Sequence, residues 1–305
     1  MQHSSRHHDH DRDHDRDHHR DGHPALATGL LTALAMAAFA ANSLLCRIAL
    51  RQDLIDPASF GALRLAAGAL VLVAVMRGPA RMKGDWRAAA LLFLYVACFS
   101  FAYLRLAAGS GALILFGAVQ LTMFAAGLRA GERCGGAGWL GLGLALGGLA
   151  GLLLPGVAAP SAGGAVLMAL AGIAWGGYSL RGRGAGDPLA ATAGNFVRAT
   201  PLGIALWLAW AAQADAQNAL HADARGVALA LASGAITSGL GYVVWYAALR
   251  RLTALRAASV QLSVPLIAAG GGVLLLDEAF TLRLALAAAA ILGGIALVLR
   301  ATARK

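Results

Sequence analysis

Ten apolar runs, each long enough to cross a lipid bilayer as a helix, fill the chain from about residue 26 onward. The chain has 305 residues, of which 59 % are hydrophobic and 13 % are charged, and its mean hydropathy is +0.66. Lipid is therefore the expected solvent for most of it. The runs predict transmembrane helices at 26–50, 58–76, 88–106, 109–128, 136–154, 163–180, 189–211, 226–249, 255–276 and 282–300.

Basic residues between these runs predict the orientation in the membrane. With the N terminus in the cytoplasm, fourteen Lys and Arg residues lie in inward loops and at the C terminus, against five in outward loops. Cytoplasmic loops of membrane proteins carry this excess, so both termini are predicted to be cytoplasmic. Arg far outnumbers Lys, a bias typical of GC-rich bacteria, and we expect a multi-pass protein of the bacterial inner membrane.

The N-terminal segment 1–24 is a polar tail, rich in His, Asp and Arg, that precedes the first apolar run. It lacks the short apolar core of a cleavable signal peptide, so we expect a disordered cytoplasmic tail. Eight of the nine His residues lie in it. Loose binding of Zn²⁺ or Ni²⁺ is an alternative, but a structural site needs ligands in fixed geometry. No metal site and no cofactor are predicted.

The rest of the chain repeats itself. Residues 105–148 align without a gap on residues 251–294, at a constant offset of 146. Residues 42–57 resemble 178–188, since each segment has Ser-Leu near its start and ends in Asp-Pro. The predicted domains are therefore a first five-helix repeat, 25–155, and a second, 156–301. An odd number of helices per repeat inverts the second relative to the first, as in many secondary transporters.

Two blocks of sequence resemble the EamA family of the drug/metabolite transporter superfamily. They are ANSLLCRIAL followed by DPASFGALRLAAGAL, and YAALRRLTALRAASVQLSVPLIAAGGGVLLLDEAFTLR. The family commonly has Gly-Glu at the ends of its fourth and ninth helices; Gly131-Glu132 keeps this pair and Asp277-Glu278 departs from it. The resemblance implies that helices 1 to 4 and 6 to 9 enclose a cavity, while helices 5 and 10 brace it from outside.

A row of glycines in the fifth apolar run fits the bracing role. Gly143, Gly147 and Gly151 recur every four residues, and such small-residue rows let membrane helices approach closely. The alternative is a generic glycine-rich helix in which the row has no packing role.

Two arginines inside predicted spans are the sharpest candidates for a site. Arg64 and Arg198 lie at roughly corresponding places in the two halves. Charged groups in a membrane are costly and usually face the bundle interior or water. Each guanidinium could bind an anionic group of a solute, or it could bond helix-end carbonyls in a structural role.

Other polar and aromatic side chains inside the spans complete the predicted site. Amides can bond a polar solute or join two helices, and aromatic rings can line a cavity or lie at the membrane interface. The predicted substrate-binding residues, besides the two arginines, are Asn42, Tyr103, Gln120, Trp175, Tyr178, Asn195, Trp245 and Gln261, with Tyr242 and Tyr246 as further ring candidates.

These patterns favour a secondary transporter, an exporter of a small metabolite or drug-like solute working by alternating access. Alternatives are a non-transporting receptor or assembly subunit and a membrane-embedded enzyme, for which His221 is the one His outside the tail. We expect no enzyme activity. Predicted partners are the solute and the lipid bilayer, with a homodimer as a further candidate. The basic groups do not alternate with exposed aromatics, so nucleic acid is not a predicted partner.

Overall fold

Ten helices make up the part of the chain that the computed structural model describes, residues 22–77, 82–131, 135–154, 159–182, 185–213, 220–252, 257 and 260–303. They are α1 (Gly22–Arg51), α2 (Pro57–Val75), α3 (Trp86–Tyr103), α4 (Ala108–Arg129), α5 (Gly136–Leu153), α6 (Ala162–Gly182), α7 (Pro188–Ala212), α8 (Ala224–Leu249), α9 (Ser263–Leu276) and α10 (Leu282–Ala303).

Eight of these helices are long and apolar enough to cross a membrane. The two others are α7, which has 25 residues and carries Asn195 and Arg198, and α9, an apolar helix of 14 residues. Within the described residues the β pairing is confined to one isolated bridge, Ile55 with Ala222. The prediction of an all-helical membrane protein is therefore confirmed. Most of the predicted tail, residues 1–21, lies outside the described residues.

Aspartates start four of the helices. The side chains of Asp56, Asp85, Asp187 and Asp223 each accept a hydrogen bond from backbone N–H groups in the first turn that follows. A carboxylate at this place satisfies amides that have no partner within the helix. In α2 and α7 a proline follows the aspartate, and its missing N–H costs nothing at the first helical position. The Asp-Pro pairs of the repeat are thus helix starts.

The ends of α4 and α9 explain the departure from the Gly-Glu pair. Gly131 follows α4 with a φ of 87°, and Asp277 follows α9 with a φ of 50°. Both residues are in the left-handed region, which Gly adopts freely and Asp adopts more readily than most residues. The substitution therefore keeps the backbone turn that ends the ninth helix. Glu132 lies outside the described residues.

Helices α5 and α10 pack closely on each other, but through a different glycine row from the one predicted. A Cβ added at Gly148 would lie 2.8 Å from the Cβ of Ala290, and one at Gly141 would overlap the carbonyl oxygen of Gly294. In contrast, a Cβ added at Gly143, Gly147 or Gly151 would meet nothing within 4 Å. The predicted row therefore lies on the open face of α5.

Helix α8 is α-helical at both ends and π-helical over its middle, Ser233–Leu240. A π-helix bonds residues five apart, so residues at that spacing lie on the same face. Ser233 and Ser238 are thus brought to one face, with Thr237 beside them, and all three are buried. Such π segments are frequent at functional sites.

Candidate functional site

A small buried cavity lies between the two halves, near the middle of the bundle. Helices α1, α3 and α4 of the first half and α6 and α8 of the second form its wall. Its volume is about 20 Å³, which is room for about one water molecule. The lining residues are Phe39, Asn42, Ser43, Tyr95, Phe99, Leu115, Phe116, Trp175, Thr237, Ser238 and Tyr242.

Asn42 joins the two halves across this cavity. Its Oδ1 accepts hydrogen bonds from the hydroxyl of Ser233 at 2.6 Å and from that of Thr237 at 3.2 Å. Its Nδ2 donates to the hydroxyl oxygen of Tyr95 at 3.3 Å. The π segment of α8 supplies both hydroxyl donors, so this local departure from α-helical geometry builds the polar wall of the cavity.

Arg64 lies directly behind that wall and is 1 % exposed. Its Nε donates to the hydroxyl of Ser238 at 3.2 Å, and its Nη2 donates to the hydroxyl of Tyr95 at 3.0 Å. The guanidinium carbon lies 5.0 Å from the ring centroids of both Tyr95 and Phe99, within the range of a cation–π interaction. Its Nη1 is buried and has no hydrogen-bond partner.

Aromatic rings form the rest of the wall. Trp175 stacks on Tyr178 and on Tyr242, with centroid separations of 5.4 and 5.5 Å, and lies 4.9 Å from the Tyr95 ring. Phe39 contacts Tyr242 edge-on at 5.9 Å. Stacked and edge-on rings attract one another beyond the burial of their area. The cavity thus combines a polar wall on α8 and α1 with a wall of rings.

The sequence-predicted site residues divide into three groups. Asn42 and Trp175 line the cavity. Arg64, Tyr178 and Trp245 contact residues that line it. The others lie elsewhere: Tyr103 bonds the carbonyl oxygen of Ala108, Gln261 bonds that of Ala257, Gln120 is half-buried on α4, and Asn195 and Arg198 hold a link between helices.

One end of the bundle is closed by contacts around Arg47, which we call the Arg47 cluster. The Arg47 Nε pairs with Glu278 Oε1 at 3.0 Å, and its Nη1 donates to the carbonyl oxygen of Tyr103 at 2.8 Å. Glu278 Oε2 accepts a hydrogen bond from the backbone N–H of Ala108 at 2.8 Å. Arg51 also bonds the carbonyl oxygen of Leu276. These contacts join α1 and the α3–α4 link to the end of α9.

The opposite end is closed by contacts of the link between α2 and α3, which we call the Asp85 cluster. The backbone N–H of Asp85 donates to Asn195 Oδ1 at 3.1 Å, and Arg181 Nη2 pairs with Asp85 Oδ1 at 3.2 Å. Arg198 Nη1 donates to the carbonyl oxygens of Lys83 at 3.3 Å and of Gly194 at 2.9 Å. These contacts join the first half to α6 and α7 of the second.

The charge of Asp85 is stabilised in this arrangement. A hydrogen bond from the backbone N–H of Ala88 and the nearby Arg181 guanidinium lower the pKa of Asp85 below its ordinary value. The pair is accessible to solvent, since the two side chains are 49 % and 41 % exposed. It is therefore a weak contact of the kind that can open and close.

A larger groove lies outside the bundle, between α5 and α10. Its volume is about 720 Å³, and the open glycine row of α5 lies along it with Trp139 and Leu286. Its lining is apolar except for Arg283, whose Nη1 bonds the carbonyl oxygen of Leu154. A groove on the outer face of an apolar helix pair is expected to be filled by lipid. The small inner cavity, with its buried polar groups, is the better candidate for a site.

Sequence reasoning missed the residues that polarise the inner wall. Ser233, Thr237, Ser238 and Tyr95 were not among the predicted site residues. Three hydroxyl side chains within six residues of one apolar run are a signal, because polar groups inside a membrane need partners. The π-helical turn that gathers them has no sequence signature that we could use.

Comparison with known proteins agrees with the fold. The profile of the EamA-like transporter family matches residues 162–300. The uncharacterized protein PA1977 of Pseudomonas aeruginosa is 58 % identical over 280 residues, which is 90 % of this chain and 96 % of PA1977. A crystal structure of a protein with 19 % sequence identity superposes with a TM-score of 0.60, covering 89 % of this chain and 96 % of the other.

Proposed function

Because this chain belongs to the EamA-like transporter family, we propose that it is a secondary transporter that moves a small solute by alternating access. In that mechanism one half moves against the other around a central site, and the site opens to each side of the membrane in turn. The function requires a site between the halves and contacts between the halves that can close either end.

The observation that carries the proposal is a buried cavity closed at both ends by contacts between the halves. The Arg47 cluster lies at the C-terminal end of α3, and the Asp85 cluster at its N-terminal end. These ends are about 27 Å apart, since a helix rises 1.5 Å per residue. Tyr95 and Phe99 line the cavity between them. This is the arrangement expected of an occluded state.

We further propose ten membrane crossings in two inverted repeats, with both termini in the cytoplasm. In the close contact of α5 with α10, Gly148 meets Ile291 and Gly294 meets Ala145. The offset of 146 residues relates Gly148 to Gly294 and Ala145 to Ile291, so the two contacts are exchanged as a two-fold axis requires. A reporter fused after Lys305 is expected to read as cytoplasmic, and a periplasmic reading contradicts the topology.

The location we propose is the bacterial inner membrane, and the direction we propose is export of a metabolite or drug-like solute. Inside-out vesicles that contain the chain are expected to accumulate an exported solute from a panel of radiolabelled metabolites. Depletion of preloaded solute from these vesicles would instead indicate import.

Alternating access can be tested before the solute is known. Thr237, in the cavity wall, is changed to Cys in a background in which Cys46, Cys98 and Cys134 are changed to Ala. A membrane-impermeant thiol reagent is then applied to intact cells and to inside-out vesicles. Labelling from both sides of the membrane is expected, because the cavity opens to each side in turn. The control is Leu274→Cys. Leu274 is 82 % exposed on an outer face of α9, so lipid is expected to protect the introduced cysteine from the reagent.

The two clusters give the matched variants for this experiment. Weakening the Arg47 cluster by Arg47→Ala is expected to raise labelling from one side. Weakening the Asp85 cluster by Asp85→Ala, which removes the pair with Arg181, is expected to raise labelling from the other side. Labelling from a single side in every variant would contradict alternating access and favour a receptor.

A further inference from the structure

Arg64 is a charged group in the core of the bundle without an opposite charge beside it. Two arginine–carboxylate ion pairs and one His–Asp contact occur among the described residues, and none includes Arg64. Its partners are two neutral hydroxyl groups and two aromatic rings. An arginine side chain does not lose its proton in proteins, so the positive charge persists in the occluded state.

This environment compensates the charge incompletely. Cation–π contacts attract the charge only modestly, and they offset a part of what it costs to keep an unpaired charge in an apolar interior. The unbonded Nη1 adds two donor hydrogens without an acceptor. A residue needed solely to join helices would be less costly as a neutral amide, which is what Asn42 is. The charge itself is what needs an explanation.

We infer that Arg64 binds the negative group of the transported solute and that this solute is a small monocarboxylate with a flat apolar body. The inference rests on the function proposed above and names the substrate class of that site. Within the described residues, no Lys, Arg, Asp or Glu lines the cavity itself, and Arg64 lies directly behind its wall, bonded to Tyr95 and Ser238. One guanidinium matches one carboxylate, since its fork of N–H donors fits two carboxylate oxygens. A solute with two negative charges would find no second cation at the cavity, and a solute with an ammonium group would find no carboxylate there.

The rest of the wall fits the body of such a solute. The two hydroxyl groups that accept hydrogen bonds from the Arg64 guanidinium belong to Tyr95 and Ser238, and both residues also line the cavity. A carboxylate that enters between them can replace either hydroxyl as acceptor for Arg64. In the same wall, the rings of Trp175 and Tyr242 stack with their planes 29° apart. A flat apolar group can pack against them once the cavity, which has room for about one water in the occluded state, opens.

The test is isothermal titration calorimetry on the purified full-length chain in nanodiscs, with three matched probes. 3-Phenylpropionate carries the carboxylate, 3-phenylpropanamide replaces it by a neutral amide, and L-phenylalanine adds an ammonium group. We expect 3-phenylpropionate to bind at least tenfold more tightly than either of the others. Equal or tighter binding of the amide, or no binding of the carboxylate, would overturn the inference.

The matched variants are Arg64→Gln and Arg225→Gln, since Arg225 is an exposed arginine at the start of α8. Arg64→Gln is expected to abolish the preference for the carboxylate, and Arg225→Gln to keep it. An unchanged preference in Arg64→Gln would also overturn the inference. Size-exclusion chromatography shows whether Arg64→Gln folds. If it does not, the ratio of the affinities of the unmodified chain for 3-phenylpropionate and 3-phenylpropanamide tests the inference by itself.

Transport assays keep this inference separate from the proposed function. Calorimetry measures binding whether or not the solute crosses the membrane. Binding of the carboxylate without transport in proteoliposomes refutes the transporter and leaves the anion site standing. Transport of solutes without any preference for carboxylates refutes the anion site and leaves the transporter standing.

Discussion

Arg64 and Arg198 look alike in the sequence, but their surroundings differ in kind. Arg64 is buried against α8 and α3 and bonds neutral side chains from both halves. Arg198 is half-buried near one end of the bundle and bonds two backbone carbonyl oxygens, those of Lys83 and Gly194. The difference shows that an intramembrane arginine has to be judged by its partners. The hydrogen bonds to backbone carbonyls explain Arg198 as a structural residue that holds a link between helices. Among the described residues, Arg64 has no carbonyl or carboxylate partner that would explain its charge.

Register explains why the two arginines differ. Counted from the Asp-Pro pair that starts each helix, Arg64 corresponds to Asn195, and Arg198 lies three residues further along α7. Asn195 bonds the backbone of Asp85 in the link between α2 and α3. The second half thus has an amide at the place where the first half has a cation, and the two residues have different surroundings: Arg64 contacts the cavity wall, whereas Asn195 lies in the Asp85 cluster.

The largest expected effect separates the two arginines by their chemistry. Arg64→Lys keeps the charge but loses the planar fork, and we expect 3-phenylpropionate to bind at least tenfold more weakly in calorimetry. Arg198→Lys also keeps a cation near the carbonyl of Lys83, and binding is expected to change less than twofold. Equal losses in the two variants would mean that both arginines act on the site alike, which would break the comparison.

The second prediction compares how firmly the two regions are packed. A Cβ added at Gly234 would overlap the carbonyl oxygen of Arg64 and would lie 2.8 Å from the Cβ of Ala67, both within α2. A Cβ added at Gly194 would overlap the carbonyl oxygen of Lys83, in a link between helices. The overlap at Gly194 is the deeper of the two, but Lys83 lies in a link between helices, and a link yields more easily than a helix. Gly234→Ala is therefore expected to cost about 2 to 3 kcal/mol and Gly194→Ala about 1 kcal/mol.

Melting temperatures of the purified variants measure this difference. Gly147→Ala is the control, because a Cβ there meets nothing within 4 Å, and its melting temperature is expected to be unchanged or higher. A greater loss of stability in Gly194→Ala than in Gly234→Ala would show that the link, and not the π segment, is the rigid region.

The third prediction compares the two asparagines. Asn42 makes three hydrogen bonds to side chains of α3 and α8, and Asn195 accepts one from the backbone of Asp85. Interhelical hydrogen bonds in membranes contribute about 0.6 kcal/mol each. Asn42→Leu is accordingly expected to cost about 2 kcal/mol and Asn195→Leu about 0.6 kcal/mol in melting experiments. Equal costs would show that the Asn42 network is no stronger than a single bond.

These contrasts mark the limit of what the sequence predicts. Helix positions follow from apolar runs and from Asp-Pro starts, because the length of a crossing and the capping of a helix are local properties. In contrast, which residues pack against each other in the folded protein is not a local property of the sequence. The glycine row at Gly143, Gly147 and Gly151 has the spacing of a packing face, yet α10 packs on the face of Gly141 and Gly148 instead. Likewise, Ser233 and Ser238 come together through a π-helical turn.

The smallest expected effect concerns the solvent-exposed side of the comparison, the pair of Asp85 with Arg181. Asp85→Asn keeps a side chain that can cap α3 but removes the ion pair, so we expect a loss of about 0.2 to 1 kcal/mol at pH 7. The pKa of Asp85 is lowered in the folded protein from its ordinary value of 3.8. Its stabilising contribution is therefore complete above that value and disappears as the pH falls through the lower, folded-state pKa. The melting temperatures of the original chain and of Asp85→Asn should differ at pH 7 and converge in acid, and high salt should also reduce the gap. A difference that persists unchanged in acid would mean that it does not arise from the charge of the carboxylate at all.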